Sequence, residues 1–237
     1  MNVIFITAII FLAIFTQTVS GFGVSLVAMS LLVNFIGIRE ATPLVALVAM
    51  TVELIILIYY RHTFNLGAVA RLSGASILGI PIGMIFLRQV EVGVVTTILG
   101  ITLLAYSLYA LLGPTLPQLK HPSWAYGLGF LAGVLGGVYN TSGPPVIIYG
   151  TCQRWPPAEF KSNLQGFFML VSTLAAIGHA ISGGMTVTVW QNYLYALPAI
   201  ALGVVVGLSL DKRIKPQRFR QVILILLLIM GVRLIFS

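Results

Sequence analysis

The sequence predicts an all-α polytopic membrane protein made of two homologous repeats. Three observations predict it: a composition too apolar for a globule in water, apolar runs laid end to end, and ordered matches between the two halves. Hydrophobic residues make up 59% of the 237 and charged residues 8%, with a mean hydropathy of +1.05. A soluble domain carries charge on roughly a quarter of its residues, so the solvent of these runs is lipid. Backbone groups in hydrocarbon must pair within helices or a closed barrel. The runs are about twenty residues long without period-two alternation, which selects helices.

Taken in order, the apolar segments lie at about 3–19, 22–37, 42–60, 66–87, 92–112, 125–139, 145–152, 160–182, 190–210 and 219–236. Six are long enough to span a core of roughly 30 Å at about 1.5 Å per residue. The other four form two pairs, 3–19 with 22–37 and 125–139 with 145–152. Small and helix-breaking residues interrupt each pair: Ser20, Gly21 and Gly23 in the first, Asn140 through Pro145 in the second.

The pairs occupy corresponding places in two halves. Phe11-Leu12-Ala13 recurs as Phe130-Leu131-Ala132, Ser20-Gly21 as Ser142-Gly143, and Glu40 as Glu159; Leu78 to Gly83 matches Leu202 to Gly207. Ordered matches of this kind indicate duplication. The expected units are a first repeat at 1–112, a joining loop at 113–124 containing Pro114, Pro117 and Pro122, and a second repeat at 125–237. Each repeat has three full spans plus an interrupted helix or a re-entrant hairpin. Hairpins make the repeats inverted; broken helices make them parallel.

Both arrangements satisfy the positive-inside rule when the basic cluster Lys212, Arg213, Lys215, Arg218 and Arg220 is cytoplasmic. Hairpins are favoured because 3–37 as one continuous helix would measure about 50 Å, too long for a single crossing. In either case both termini are expected outside the cytoplasm, in the inner (plasma) membrane. The same cluster explains the net charge of +8 without nucleic acid. The single cysteine, Cys152, excludes an internal disulfide and any multi-cysteine metal or thiol-relay site.

Each half thus has an apolar run, a glycine-rich break, a second apolar stretch, an acidic residue opening the next helix, and a Leu-Gly-x-x-x-Gly helix. In these features the chain resembles the sulfite exporter (TauE/SafE) family of membrane permeases over about 3–236. The breaks depart from a plain glycine run, reading Val19-Ser20-Gly21-Phe22-Gly23-Val24 and Asn140-Thr141-Ser142-Gly143-Pro144-Pro145. The resemblance implies movement of sulfite, sulfonates or related small anions.

The breaks are also the physical candidates for a binding site. A helix that begins in mid-membrane presents unpaired amides and partial positive charge, which bind anions. Ser142 or Thr141 is the expected N-cap, Gly143 allows close approach, and Pro144 is tolerated in a first turn. Ser20, Gly21, Phe22 and Gly23 form the counterpart, with Asn140 at the edge of the second break. Asn163 and Gln165, early in 160–182, are further candidate contacts, and Lys161 an interfacial anchor. Gly79, Gly83, Gly203 and Gly207 are expected to let helices pack closely.

Glu53 is the only carboxylate well inside an apolar segment, and thereby a candidate proton carrier; the alternative is a structural pair with a base such as Arg71. His179, near a helix end, is expected to be a satisfied hydrogen-bonding side chain, and Trp124, Tyr126, Trp155, Trp190 and Tyr193 an interfacial belt.

With five acidic residues, mostly at loops, the chain offers no catalytic constellation. The expected function is a secondary transporter of a small organic or sulfur-containing anion, working by alternating access; a passive anion channel and an intramembrane enzyme are the alternatives. The expected partners are the anion, the bilayer and a second copy of the chain, with no metal and no cofactor.

Overall fold

The computed structural model describes residues 2–113, 116–119, 121–210 and 216–236; for Asn2, Pro216 to Arg218 and Arg220 it describes the backbone alone. Lys120 and the basic residues Lys212, Arg213 and Lys215 lie outside the described residues. Ten α-helices are described: α1 Asn2–Ser20, α2 Val24–Ile36, α3 Ile38–Tyr60, α4 Leu66–Gln89, α5 Val92–Leu112, α6 Ser123–Tyr139, α7 Gly143–Cys152, α8 Pro157–Ile181, α9 Val187–Leu210 and α10 Pro216–Ile235. Six of them, α1, α3, α4, α5, α8 and α9, are long and apolar enough to cross a membrane. The sequence reading differs at α1, expected among the four shorter segments, because its helix runs unbroken to Ser20 before Gly21 ends it, and at α10, expected as a full span, whose apolar stretch among the described residues is the shorter Gln221–Ile235.

Both interrupted pairs fold back on themselves. The Phe5 ring, at the start of α1, stacks on Phe35, at the end of α2, with centroids 6.0 Å apart. At the other pair, Gln153 Nε2 donates to the Leu119 carbonyl over 2.7 Å, joining the exit of α7 to the approach to α6. A broken helix running on in one direction would separate these ends, so each pair is a hairpin. The turns are three residues each, 21–23 and 140–142. A spacing of 119 relates Ser20 to Tyr139 and Val24 to Gly143, not the spacing of 122 that the Ser-Gly match suggests.

Small residues set how the longer helices meet. A Cβ at Gly79 or Gly83 would run into the α6 backbone at Phe130 and Val134, and one at Gly133 or Gly137 into α4 at Ser76 and Ile80. Gly203 and Gly207 seat α9 on the side chains of Ile14 and Thr18 of α1, and Gly100 and Gly231 let α5 and α10 touch backbone to backbone. Lipid tails give apolar side chains no reason to prefer each other, so close backbone approach carries the association. The expected packing role of the four glycines is what the structure contains. Helices α3 and α8 face each other at the centre, where Ser172 Oγ donates to Glu53 Oε2 over 2.5 Å. The two hairpin turns meet this central pair.

Candidate functional site

Between the two turns and the α3–α8 pair lies a cavity lined by Gln17, Gly23, Val24, Ser25, Leu26, Glu53, Asn140, Thr141, Ser142, Gly143 and Phe168. Its volume is about 20 Å³, enough for about one water molecule.

The first turn closes on itself. Gly21 and Gly23 adopt φ of 83° and 117°, open to glycine and strained for other residues. The amide of Val24, the first residue of α2, has no intrahelical acceptor and donates to Gln17 Oε1 over 3.0 Å. Gln17 Nε2 then donates to Gln165 Oε1 over 3.0 Å, and Gln165 Nε2 to the Gly21 carbonyl over 2.7 Å. One chain of amides from α1 and α8 therefore satisfies both sides of the break. Lys161 adds to it: Nζ donates to the Val19 carbonyl over 3.3 Å, and its stem covers Gly21. It does more here than anchor a helix at the interface.

The second turn is built from the same length of chain with different chemistry. Asn140 takes φ of 54°, a left-handed conformation that asparagine tolerates. Its side chain is 4% exposed, and neither its oxygen nor its nitrogen has a hydrogen-bond partner. Native proteins seldom leave a buried amide so. Ser142 stands at the N-cap position but makes no side-chain cap bond, against expectation. A capping hydroxyl accepts from the second or third helical amide, and here those residues are Pro144 and Pro145, which have none. Thr141 Oγ1 turns back to the Tyr139 carbonyl over 3.0 Å. The free donors at the start of α7 are thus the amides of Ser142 and Gly143.

The residues singled out from sequence fall into groups. Gly23, Asn140, Thr141, Ser142, Gly143 and Glu53 line the cavity. Ser20 and Phe22 turn toward Leu224 and Leu227 of α10, and Gly21 lies under Lys161. Pro144 faces an outer apolar groove with Tyr106 and Leu131. Gln165 is one hydrogen bond removed from the cavity, through Gln17. Asn163 is elsewhere: Oδ1 accepts from the Asn65 amide over 2.9 Å, and Nδ2 donates to Glu159 over 3.4 Å, where α8 meets the start of α4. Glu53 pairs with Ser172 and not with Arg71.

Gln17, Val24, Ser25, Leu26 and Phe168 are the cavity residues that sequence reasoning missed. The signal for Gln17 was present, since an amide in an apolar run four residues before a break needs a partner at that depth. No group of metal ligands exists among the described residues. What the cavity offers is neutral donors and one carboxyl.

Comparison with known proteins follows the same lines. A family described as "Sulfite exporter TauE/SafE" matches residues 6–234. The chain is 24% identical over 212 residues to a "Probable sulfite/organosulfonate exporter TauE" of Cupriavidus necator, covering 87% of this chain and 83% of that protein. It is 30% identical over 116 residues to a "Probable inner membrane transporter protein TsaS" of Comamonas testosteroni, covering 48% of each. No solved structure matches the chain.

Proposed function

The chain belongs to the sulfite exporter TauE/SafE family, and from that premise we propose that it is a secondary carrier exporting sulfite or a small sulfonate through the cavity between its two hairpin turns. One observation carries the choice of site: the buried Asn140 side chain, without a partner, beside the free amides that open α7. An oxyanion supplies the acceptors that these donors lack, with no full positive charge needed. The cavity has about 20 Å³, room for about one water molecule, which supports a carrier that must rearrange to pass an anion over a channel with a standing pore. The proposal includes two inverted repeats. Its support is the spacing of 119 at both turns, the mirrored glycine contacts of α4 on α6 and α9 on α1, and the direct bond between Glu53 and Ser172, themselves 119 apart. A residue touching its own repeat counterpart lies on a twofold axis.

Arg61, Arg71, Arg154 and Lys161 cluster at the helix ends that lead toward the 211–215 loop, so the proposed topology puts that face in the cytoplasm and both termini outside. Reporter fusions at the two ends check this; activity of a cytoplasm-only reporter at either end overturns it. The proposal also keeps the second copy of the chain that the sequence reading expects as a partner. Crosslinking in native membranes that yields only monomer removes that part.

The decisive experiment is sulfite binding by the purified protein, read as thermal stabilisation, which reaches about 2.7 kcal/mol at roughly a hundredfold excess over Kd. Asn140→Gly is the test variant because glycine keeps the positive φ. It should lose the sulfite shift and stay folded. A full shift in Asn140→Gly would show that the anion sits elsewhere.

A further inference from the structure

A second cavity, of about 360 Å³, opens at the membrane face where α3 and α9 begin and α4 and α8 end. It is lined by Arg39, Glu40, Leu87, Arg88, His179, Gly184 and Thr186. Its two guanidiniums outnumber the one carboxylate, and neither is in an ion pair among the described residues. Arg88 Nη2 donates to the Ser182 carbonyl. His179 is 4% exposed, and its Nε2 has no hydrogen-bond partner, contrary to the satisfied role expected from its sequence position. Arginine and histidine near helix C-termini are ordinary, and capping alone would explain Arg88. It does not explain an unpartnered imidazole nitrogen lining a cavity of ligand size.

The cavity is also joined to the central site by one helix. Gln165, Ser172 and His179 are spaced seven apart, which places them on one face of α8, and all three are buried. Gln165 holds the first turn and Ser172 holds Glu53. His179 extends the same polar line into the arginine-lined cavity.

We propose that Arg39, Arg88 and His179 form a second anion site, a vestibule that holds a small oxyanion at the face opposite the start of α6 and the exit of α7. Guanidinium forks match oxyanions in geometry as well as charge, and the ligand class is the same tetrahedral or pyramidal sulfur oxyanion that the carrier reading assigns to the centre. The inference rests on that reading only for the identity of the anion.

Calorimetric titration of the purified full chain with sodium sulfite at low salt tests it. Wild type should show two classes of site, the weaker one losing roughly tenfold in affinity when salt is raised, as exposed charge pairs do. Arg39→Gln should lose the weaker class and keep the tighter one; it is preferred because Arg39 makes no helix-end bond that folding could need. His179→Ala should weaken the same class severalfold. A single class in wild type that Arg39→Gln and His179→Ala leave unchanged, or two classes unchanged in both variants, overturns the vestibule. Loss of the tighter class in Asn140→Gly with the weaker retained leaves the vestibule standing and separates its fate from that of the central site.

Discussion

At the first turn, the Val24 amide is bonded to Gln17 and the Gly21 carbonyl to Gln165. The residues 119 positions from Gln17 and Gln165 are Gly136 and Ala46, which have no side chain to reach a backbone. Gly136 could not be enlarged in place, since a Cβ there would press on Val171. The position 119 beyond Gly21 is Asn140, whose amide is unpartnered. Two turns of equal length thus have opposite chemistry: one has spent its polar groups on holding itself together, and the other presents its polar groups to the cavity. Under the proposed duplication, one hairpin has specialised as scaffold and the other as receptor. A ligand with an unsymmetrical headgroup suits such a site better than two matching turns would.

Breaking the scaffold should cost the most. Gln17→Ala strands the Val24 amide and the Gln165 carbonyl oxygen, both buried, at about 1–3 kcal/mol each. The expected outcome is a fall in unfolding temperature of several degrees with sulfite present or absent. A thermal scan equal to wild type would mean that the amide chain does not hold the turn. Asn140→Gly is the complementary change on the receptor side. It should weaken sulfite binding at least tenfold, given about 1.5–3 kcal/mol for a hydrogen bond to a charged group. Its ligand-free stability should be equal to wild type or higher, because an unsatisfied amide leaves the core. Loss of stability and retained binding together would reverse the assignment of the two turns.

Much of this architecture is readable in the residues, and the reasons for the exceptions are physical. Segment limits such as 92–112 agree with α5 because apolar length and glycine at the end decide them locally. Length favours a hairpin at 3–37, and the contacts of Phe5 with Phe35 and of Gln153 with Leu119 decide it. The failure of Ser142 as a cap was equally readable, since two prolines follow Gly143. Long-range pairings were not. That Gln17 meets Gln165, or that Asn163 turns to Asn65, depends on how α8 is rotated against α1 and α4, and the glycine contacts of neighbouring helices set that rotation. Glu53 and Ser172 were visible as counterparts, but their direct bond required both to lie on the axis.

The middle of the site sharpens the comparison further. Glu53→Gln keeps an acceptor for Ser172 Oγ and removes the exchangeable carboxyl proton. Sulfite should still stabilise the variant, while flux in proteoliposomes should no longer respond to an imposed pH gradient. Persistence of that response would remove Glu53 from coupling without touching the anion site.

The smallest effect is expected at Lys161, and it separates two ways of holding the first turn. Its stem covers Gly21, with Cγ 3.0 Å from where a Cβ would stand, while its ammonium donates to the Val19 carbonyl. Lys161→Met keeps an apolar cover of similar length and gives up the charge. If the glutamines are the main ties, the loss should stay below about 1 kcal/mol, in the range of an exposed or half-exposed charged contact, and sulfite binding should be unchanged. A loss as large as that of Gln17→Ala would move the anchoring of the scaffold turn from the amide chain to the lysine, and with it the reason the second turn, which has no such lysine, is free to bind.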